Sequence, residues 1–350
     1  MQKLPPAFRI VAVGNKPESF DGLAAADWEG VECILNCGIL ANAAKRDTIE
    51  AVYRKVPNLK WMHLASAGIE HVVFPELVES DVVLTNARGC FSHSLAEFAL
   101  FGAKVTPRPA PPLASPRFPS LPLASLRAPS PRHLPPSALQ HFALDFPRLM
   151  RAKADARWDP YEVEELRGKR MGVVGFGDIG KTTARLAKAF RMEVVGLRRN
   201  TAMTDEEKGI ASKIYGTDQL VEMVRECDYV VMSTPFTPQT HKMFSREAVA
   251  AMKPSAVFIN VGRGKCVDEE ALIEALEGNR IRGACLDVTY TEPLPADSRL
   301  WSLPNVVLSP HCADRTDQFQ FDALELFVEN AKRYASIGEL LNIVDKKGGY

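Results

Sequence analysis

Short apolar runs recur along this chain, and between them lie longer stretches whose apolar residues return at helical spacing. Residues 8–13, 31–35, 59–64 and 82–85 are runs of strand length, and 45–56 carries helical spacing between two of them. The alternation resumes further on, with runs at 171–174, 193–197, 229–232, 256–260, 281–287 and 306–309. Over 268–276 the apolar residues Ala271, Leu272, Ala275 and Leu276 share one helical face. A helix opens near Ser94, with Ser92 or Ser94 as its cap, and a last one is expected over about 316–334. Strands alternating with helices predict parallel sheets covered by helices, the α/β fold class.

One stretch organises the rest. The run 171–174 passes directly into Gly175-x-Gly177-x-x-Gly180, then into a segment whose Thr183, Leu186, Ala187 and Phe190 lie on one helical face. Three glycines so spaced say little alone; between a strand and a helix they predict a dinucleotide-binding turn. The first Gly makes the turn, the second lets the backbone approach a pyrophosphate, and the third lets helix and strand pack closely. The helix N-terminus adds unpaired N–H groups and a partial positive charge. The cofactor-binding candidates are therefore Gly175, Gly177, Asp178, Ile179 and Gly180. Thr234 and Pro235, just past 229–232, and Val261, just past 256–260, join them, because open α/β sheets bind ligands beyond the carboxyl ends of their strands.

Eighteen residues beyond Gly180 stands Arg198, followed by Arg199 and Asn200. NAD enzymes usually place Asp or Glu near this point to bond the ribose 2′-OH. No carboxylate here repels a 2′-phosphate and two guanidiniums are available to it, so NADP is the expected cofactor, with NAD possible.

Composition narrows the class. The chain has 350 residues, long enough for two domains of ordinary size, with 46% hydrophobic and 25% charged residues. Lys plus Arg and Asp plus Glu number 43 each, so no net field draws the protein to nucleic acid or a membrane. The seven cysteines are scattered, and Cys33-x-x-x-Cys37 lacks a second ligand pair at zinc spacing. Reduced thiols in the cytoplasm and no metal are expected. No run has the length of a membrane helix, and neither a signal-peptide core nor a peroxisomal address is found at the ends.

Arg263, Glu292 and His311 stand on three loops of the edge that carries the glycine turn. A guanidinium grips a carboxylate in a two-point fork. A histidine passes a proton near neutral pH, and an adjacent carboxylate keeps it protonated longer. With a nicotinamide donor, this set suits reduction of a 2-oxo acid. Taken singly, each has a plainer reading: Glu292-Pro as an exposed turn, Arg263 facing solvent, His311 as structural.

With these residues in place, the chain resembles the D-isomer-specific 2-hydroxyacid dehydrogenase family, which includes glyoxylate/hydroxypyruvate reductases and phosphoglycerate dehydrogenases. The likeness covers nearly the whole chain outside 103–140. It is carried by Ser66-Ala-Gly-Ile-Glu-His71, Thr85-Asn86, Ala96-Glu97, the glycine turn, Asn260-Val-Gly-Arg-Gly264, Glu292-Pro-Leu-Pro, residues 300–306 and Ser309-Pro-His311. The resemblance implies a Rossmann nucleotide domain, here 141–311, inserted in a split flavodoxin-like substrate domain, 1–102 plus 312–350. It implies that Arg263 binds substrate, Glu292 poises His311, and His311 is the general acid. It also implies that Asp287 seats the nicotinamide amide and that N–H groups around Ala67 and Gly68 hold the substrate carboxylate. A homodimer is implied too. Formate dehydrogenases of the family carry Gln where Glu292 stands, which argues against that activity.

Two alternatives stay open. Phosphoglycerate dehydrogenase is the nearer, although the chain stops soon after its last helix, without room for an added regulatory domain. The other is a nucleotide-sensing interaction protein like the family's corepressors, with the segment 103–140 as its binding arm. That segment holds eleven prolines and five cations, and no carboxylate occurs between Glu97 and Asp145. Each interior proline costs a helix about 3 kcal/mol, so a helix cannot run through it. It is expected to be a disordered, basic loop splitting a helix that resumes over 141–150 and to weaken the dimer, or to be translated non-coding sequence.

Overall fold

The computed structural model describes residues 4–37, 44–105, 146–316 and 319–348. The predicted loop 103–140 falls, beyond Val105, outside them.

Seven strands form a wholly parallel sheet in the order β10-β9-β8-β7-β4-β5-β6: β4 Arg170–Val174, β5 Glu193–Leu197, β6 Lys213–Tyr215, β7 Tyr229–Met232, β8 Val257–Asn260, β9 Gly283–Leu286 and β10 Val306–Leu308. The chain winds outward from β4 to β6, returns to β7 at the other side of β4, and winds outward again to β10. The doubly wound order therefore reverses between β4 and β7, and a ligand crevice is expected at that point. Every residue of β7, β8 and β9 is buried, as continuous apolar strands between two helical layers should be. Successive residues point to opposite faces: Val173 belongs to the core that includes the helices Ser92–Val105 and Asp178–Ala189, Val174 to the core under Leu220–Glu226 and Glu269–Glu277.

A second, three-stranded sheet, β1-β2-β3, is also parallel: β1 Cys33–Asn36, β2 Trp61–Leu64 and β3 Val83–Asn86. Met62, Leu64 and Leu84 pack with Phe74 and Leu77 on one face. On the other, Trp61 stacks at 5.3 Å on Phe327 and at 5.6 Å on Tyr334, both from the last helix, Phe319–Ala335. The C-terminal stretch then bridges Thr85 through Ile343, antiparallel to β3. Chain from both ends thus builds this smaller unit.

The run 8–13 is not a strand. Phe8 N–H closes a turn on the Pro5 carbonyl and its ring meets Tyr334 edge-on at 6.1 Å, while Ile10 and Val13 are 48% and 80% exposed. An apolar run becomes a strand only where a sheet edge pairs with it, and none of the backbone bonds found for 8–13 reaches β1. The helix expected near Ser94 begins at Ser92, and neither serine caps it: Ser94 Oγ donates to Phe91 O, 3.1 Å, and Ser92 Oγ is buried without a partner among the described residues. Strand β6 has only three residues, too few to carry a period.

Candidate active site

The glycine turn divides its labour as the spacing requires. Gly175 adopts φ +94°, and a Cβ there would come within 3.0 Å of Ser233 and Thr234 backbone atoms. A Cβ at Gly180 would fall 2.2 Å from Gly175 O, so only glycine lets this helix lie against its strand. At Gly177 a Cβ would meet nothing within 4 Å. Among the described residues no group fills that side, which suits a ligand's phosphates. Asp178 and Ile179 are the first residues of the helix, whose leading N–H groups lack intrahelical partners. Thr234 is buried, Pro235 follows it on the same loop past β7, and Val261 is buried just past β8. These residues fit a dinucleotide across the β4/β7 crevice.

Arg198 lies at the end of β5, but its charge is not waiting for a phosphate. Nη1 and Nη2 donate to Glu207 at 2.7 and 2.9 Å, and Nε donates to Asn200 O at 2.6 Å. Glu207 also closes the cap of helix Asp205–Ile210 with Thr204, and the Arg198 bonds, then the Thr204 N–H, hold its carboxyl down at about 2. A carboxylate nine residues along the chain thus stands where the end of the strand itself offers none. Arg199 is exposed beside it.

The loops after β9 and β10 bring Glu292 and His311 together, with Nδ1 2.7 Å from Glu292 Oε2. Glu292 is fixed by the Thr289 N–H, which donates to Oε1 at 3.0 Å. His311 sits at φ +51°, a left-handed conformation disfavoured for a side chain of its size. Asp287 over-determines it: its carbonyl accepts from His311 N, 2.9 Å, and its Oδ1 from Cys312 N and Ala313 N, 3.0 and 3.1 Å. Asp287, expected to seat a nicotinamide amide, therefore also pins the histidine loop through one buried oxygen. The Glu292 hydrogen bond raises the His311 pKa above its ordinary value despite partial burial. Burial pushes Glu292 upward, but the His311 and Thr289 hydrogen bonds outweigh it and leave the carboxyl below the usual range. The imidazolium–carboxylate form is the favoured one.

Arg263, past β8, meets the loop that follows β2. Nε donates to Glu70 Oε1 at 3.1 Å and Nη1 to Gly262 O at 2.9 Å, while Nη2 lies 2.1 Å from where a Cβ of Gly68 would be. Ser66 Oγ donates to Gly68 O, and Asn86 Nδ2 to Ala67 O, so the backbone beside the guanidinium is itself fastened. Ala67, Gly68 and Arg263 are thus brought to one place.

Glu70, Asn86 and Glu207 were not foreseen as working residues. Glu70 stands in the loop past β2 and Asn86 at the end of β3, but a contact such as Glu70 with Arg263, 193 positions apart, leaves no period to read.

Known proteins place the chain. The model for the D-isomer specific 2-hydroxyacid dehydrogenase, NAD binding domain, matches residues 138–313. The chain belongs to that family. D-3-phosphoglycerate dehydrogenase of Methanocaldococcus jannaschii is 28% identical over 342 residues, 97% of this chain and 57% of that protein. Glyoxylate reductase of Pyrococcus furiosus is 41% identical over 169 residues, 48% of each. This chain therefore spans about half the length of these curated relatives. Among solved structures, a D-isomer specific 2-hydroxyacid dehydrogenase of Xanthobacter autotrophicus, in complex with NADPH and MES, superposes with a TM-score of 0.68 at 27% identity, over 92% of this chain and 86% of that one.

Proposed function

We propose that this chain is an NAD(P)H-dependent reductase of a small 2-oxo acid, of the glyoxylate or hydroxypyruvate kind, yielding the D-2-hydroxy acid. The observation that carries the reading is the His311–Glu292 pair, 2.7 Å apart on the sheet edge that bears the glycine turn, with Arg263 beside the Ala67–Gly68 backbone. In this reading the Arg263 guanidinium and the N–H groups of that backbone hold the substrate carboxylate. His311 keeps Nδ1 on Glu292 and gives the proton on its other ring nitrogen to the carbonyl oxygen. A nicotinamide held beyond the β4/β7 crevice would supply the hydride for the carbonyl carbon, so one hydride and one proton would reduce the C=O bond. Glu292 stabilises the imidazolium before the transfer and holds the ring's orientation throughout.

NADPH is the proposed cofactor, with NADH also accepted. Arg198, which it would share with Glu207, and Arg199 are the proposed ligands of its 2′-phosphate. The substrate-binding unit is taken as 1–102 with 312–350, the enzyme as a cytoplasmic homodimer, and its partner as the small acid alone. All seven cysteines are free, and no described helix is long and apolar enough to cross a membrane.

Phosphoglycerate dehydrogenase activity is the second reading, favoured by the likeness to the M. jannaschii enzyme along 97% of this chain. Steady-state assays of glyoxylate, hydroxypyruvate and 3-phosphohydroxypyruvate with both cofactors test both. The highest kcat/KM is expected for one of the first two with NADPH. Preference for the phosphorylated acid would replace the first reading by the second, and no turnover of any acid would refute both.

A further inference from the structure

We propose that Arg88 is a ligand for the cofactor's pyrophosphate, supplied to the glycine turn by the smaller sheet; the proposal rests on the dinucleotide reading above. Arg88 lies on the loop past β3, at the carboxyl end of its sheet. Its backbone is fastened at both ends: the N–H donates to Asn86 Oδ1 at 3.2 Å, and the carbonyl accepts from Asn342 Nδ2 at 2.7 Å. Gly89 follows at φ +94°, a left-handed turn that a larger residue would strain. From this fixed base the half-exposed guanidinium crosses to the larger sheet, where Nε stands 3.3 Å from Asp178 Oδ2. Asp178 is the first residue of the helix after the turn, next to Gly177, the glycine whose missing side chain leaves open space.

A pair this exposed contributes little stability by itself, so holding the two units together does not account for so firm a base. The local charge balance does. An incoming pyrophosphate meets favourable helix N–H groups but also the carboxylate of Asp178, which repels it. Arg88 cancels that repulsion and adds N–H donors of the geometry that phosphate oxygens accept. The cation reaches the turn from the unit that also carries Ala67, Gly68 and Glu70. A pyrophosphate held by both Arg88 and the turn would span the two walls between which the substrate is proposed to sit.

The test is the dissociation constant of the full-length protein for NADPH, NADH and ADP-ribose, all of which contain the pyrophosphate, in wild type, Arg88→Gln, Arg88→Lys and Asp178→Asn. Arg88→Gln should weaken all three ligands by a similar factor, about tenfold, and more at low salt than at high. Arg88→Lys should recover part of the loss. Asp178→Asn, which breaks the ion pair but spares Arg88, should lose less than Arg88→Gln. The proposal falls if Arg88→Gln leaves the three constants unchanged, or weakens NADPH alone, which would assign Arg88 to the 2′-phosphate. It also falls if Asp178→Asn loses as much as Arg88→Gln, since the ion pair would then be the whole effect. Wild type binding none of the three would instead refute the dinucleotide reading.

Discussion

The two sheets contribute unequally. In the seven-stranded sheet β7, β8 and β9 are buried along their whole length, and the loops past β9 and β10 bring His311 and Glu292 together. The three-stranded sheet has an edge strand, β1, that is only partly buried at each residue. It offers two loops, and through them two ion pairs reach across: Glu70 to Arg263 and Arg88 to Asp178. In the proposed reaction the proton donor sits on the larger sheet, while the groups that would grip the ligands come from both. Damage to the first should cost turnover, and damage to the second should cost binding.

The largest effect should come from His311→Gln. Losing a positioned general acid costs about 10²–10⁴-fold in rate. Because His311 is assigned to proton transfer and not to holding the nucleotide, nucleotide affinity should change little. Stopped-flow turnover and fluorescence titration measure the two separately. Retention of wild-type kcat would remove His311 from the chemistry.

Next comes Gly68→Ala. Its methyl group would fall 2.1 Å from Arg263 Nη2 and 2.5 Å from Glu70 Oε2, so both charged ends must shift. Displacement of about 1 Å at a reacting geometry can cost on the order of 10²-fold, and kcat/KM should fall by about that much. Gly68 is not in the left-handed region, so the backbone accepts alanine and the melting temperature should stay close to wild type. An unchanged kcat/KM would mean that Arg263 does not work from this position.

These contrasts also explain what could be read without coordinates. The turn Gly175–Gly180 was legible because one strand, three glycines and one helix fall in a fixed local order. The positions of Arg263, Glu292 and His311 were legible because each follows an apolar run, and parallel strands send their carboxyl ends to one edge. Residues 8–13 misled because their composition is that of a strand while their neighbours offer no pairing edge. Glu207 was missed because the expectation for Arg198 looked only at the end of β5, whereas the carboxylate arrives from the first turn of the next helix. Contacts made by folding, such as Glu70 with Arg263, have no local signature at all.

Replacing Glu292 by Gln should move a pH profile more than a rate. Reduction needs His311 protonated, so in wild type kcat/KM should be highest below the raised His311 pKa and fall as pH rises through it. Without the carboxylate the hydrogen bond that raises this pKa is weakened, while partial burial still lowers it. The alkaline limb should therefore shift toward acid, with less activity left at neutral pH. A limb that stays in place would show that another group sets it.

The smallest effect should come from Glu70→Gln, and its sign distinguishes gripping from gating. Glu70, an exposed residue, accepts from Arg263 Nε at 3.1 Å, so it steadies the guanidinium. It also places a negative charge beside the cation that must receive an anionic substrate, and the two anions compete for it. Glutamine keeps a carbonyl to accept from Nε but removes the charge. An exposed ion pair is worth about 0.2–1 kcal/mol, so relief of the competition should lower KM by no more than about fivefold. Turnover should hardly change, because the His311–Glu292 pair lies wholly on the other unit. The advantage should shrink as salt screens the repulsion it removes. Were KM instead to rise while kcat falls, orientation of Arg263 would be the chief service of Glu70, and the smaller sheet would take part in turnover after all.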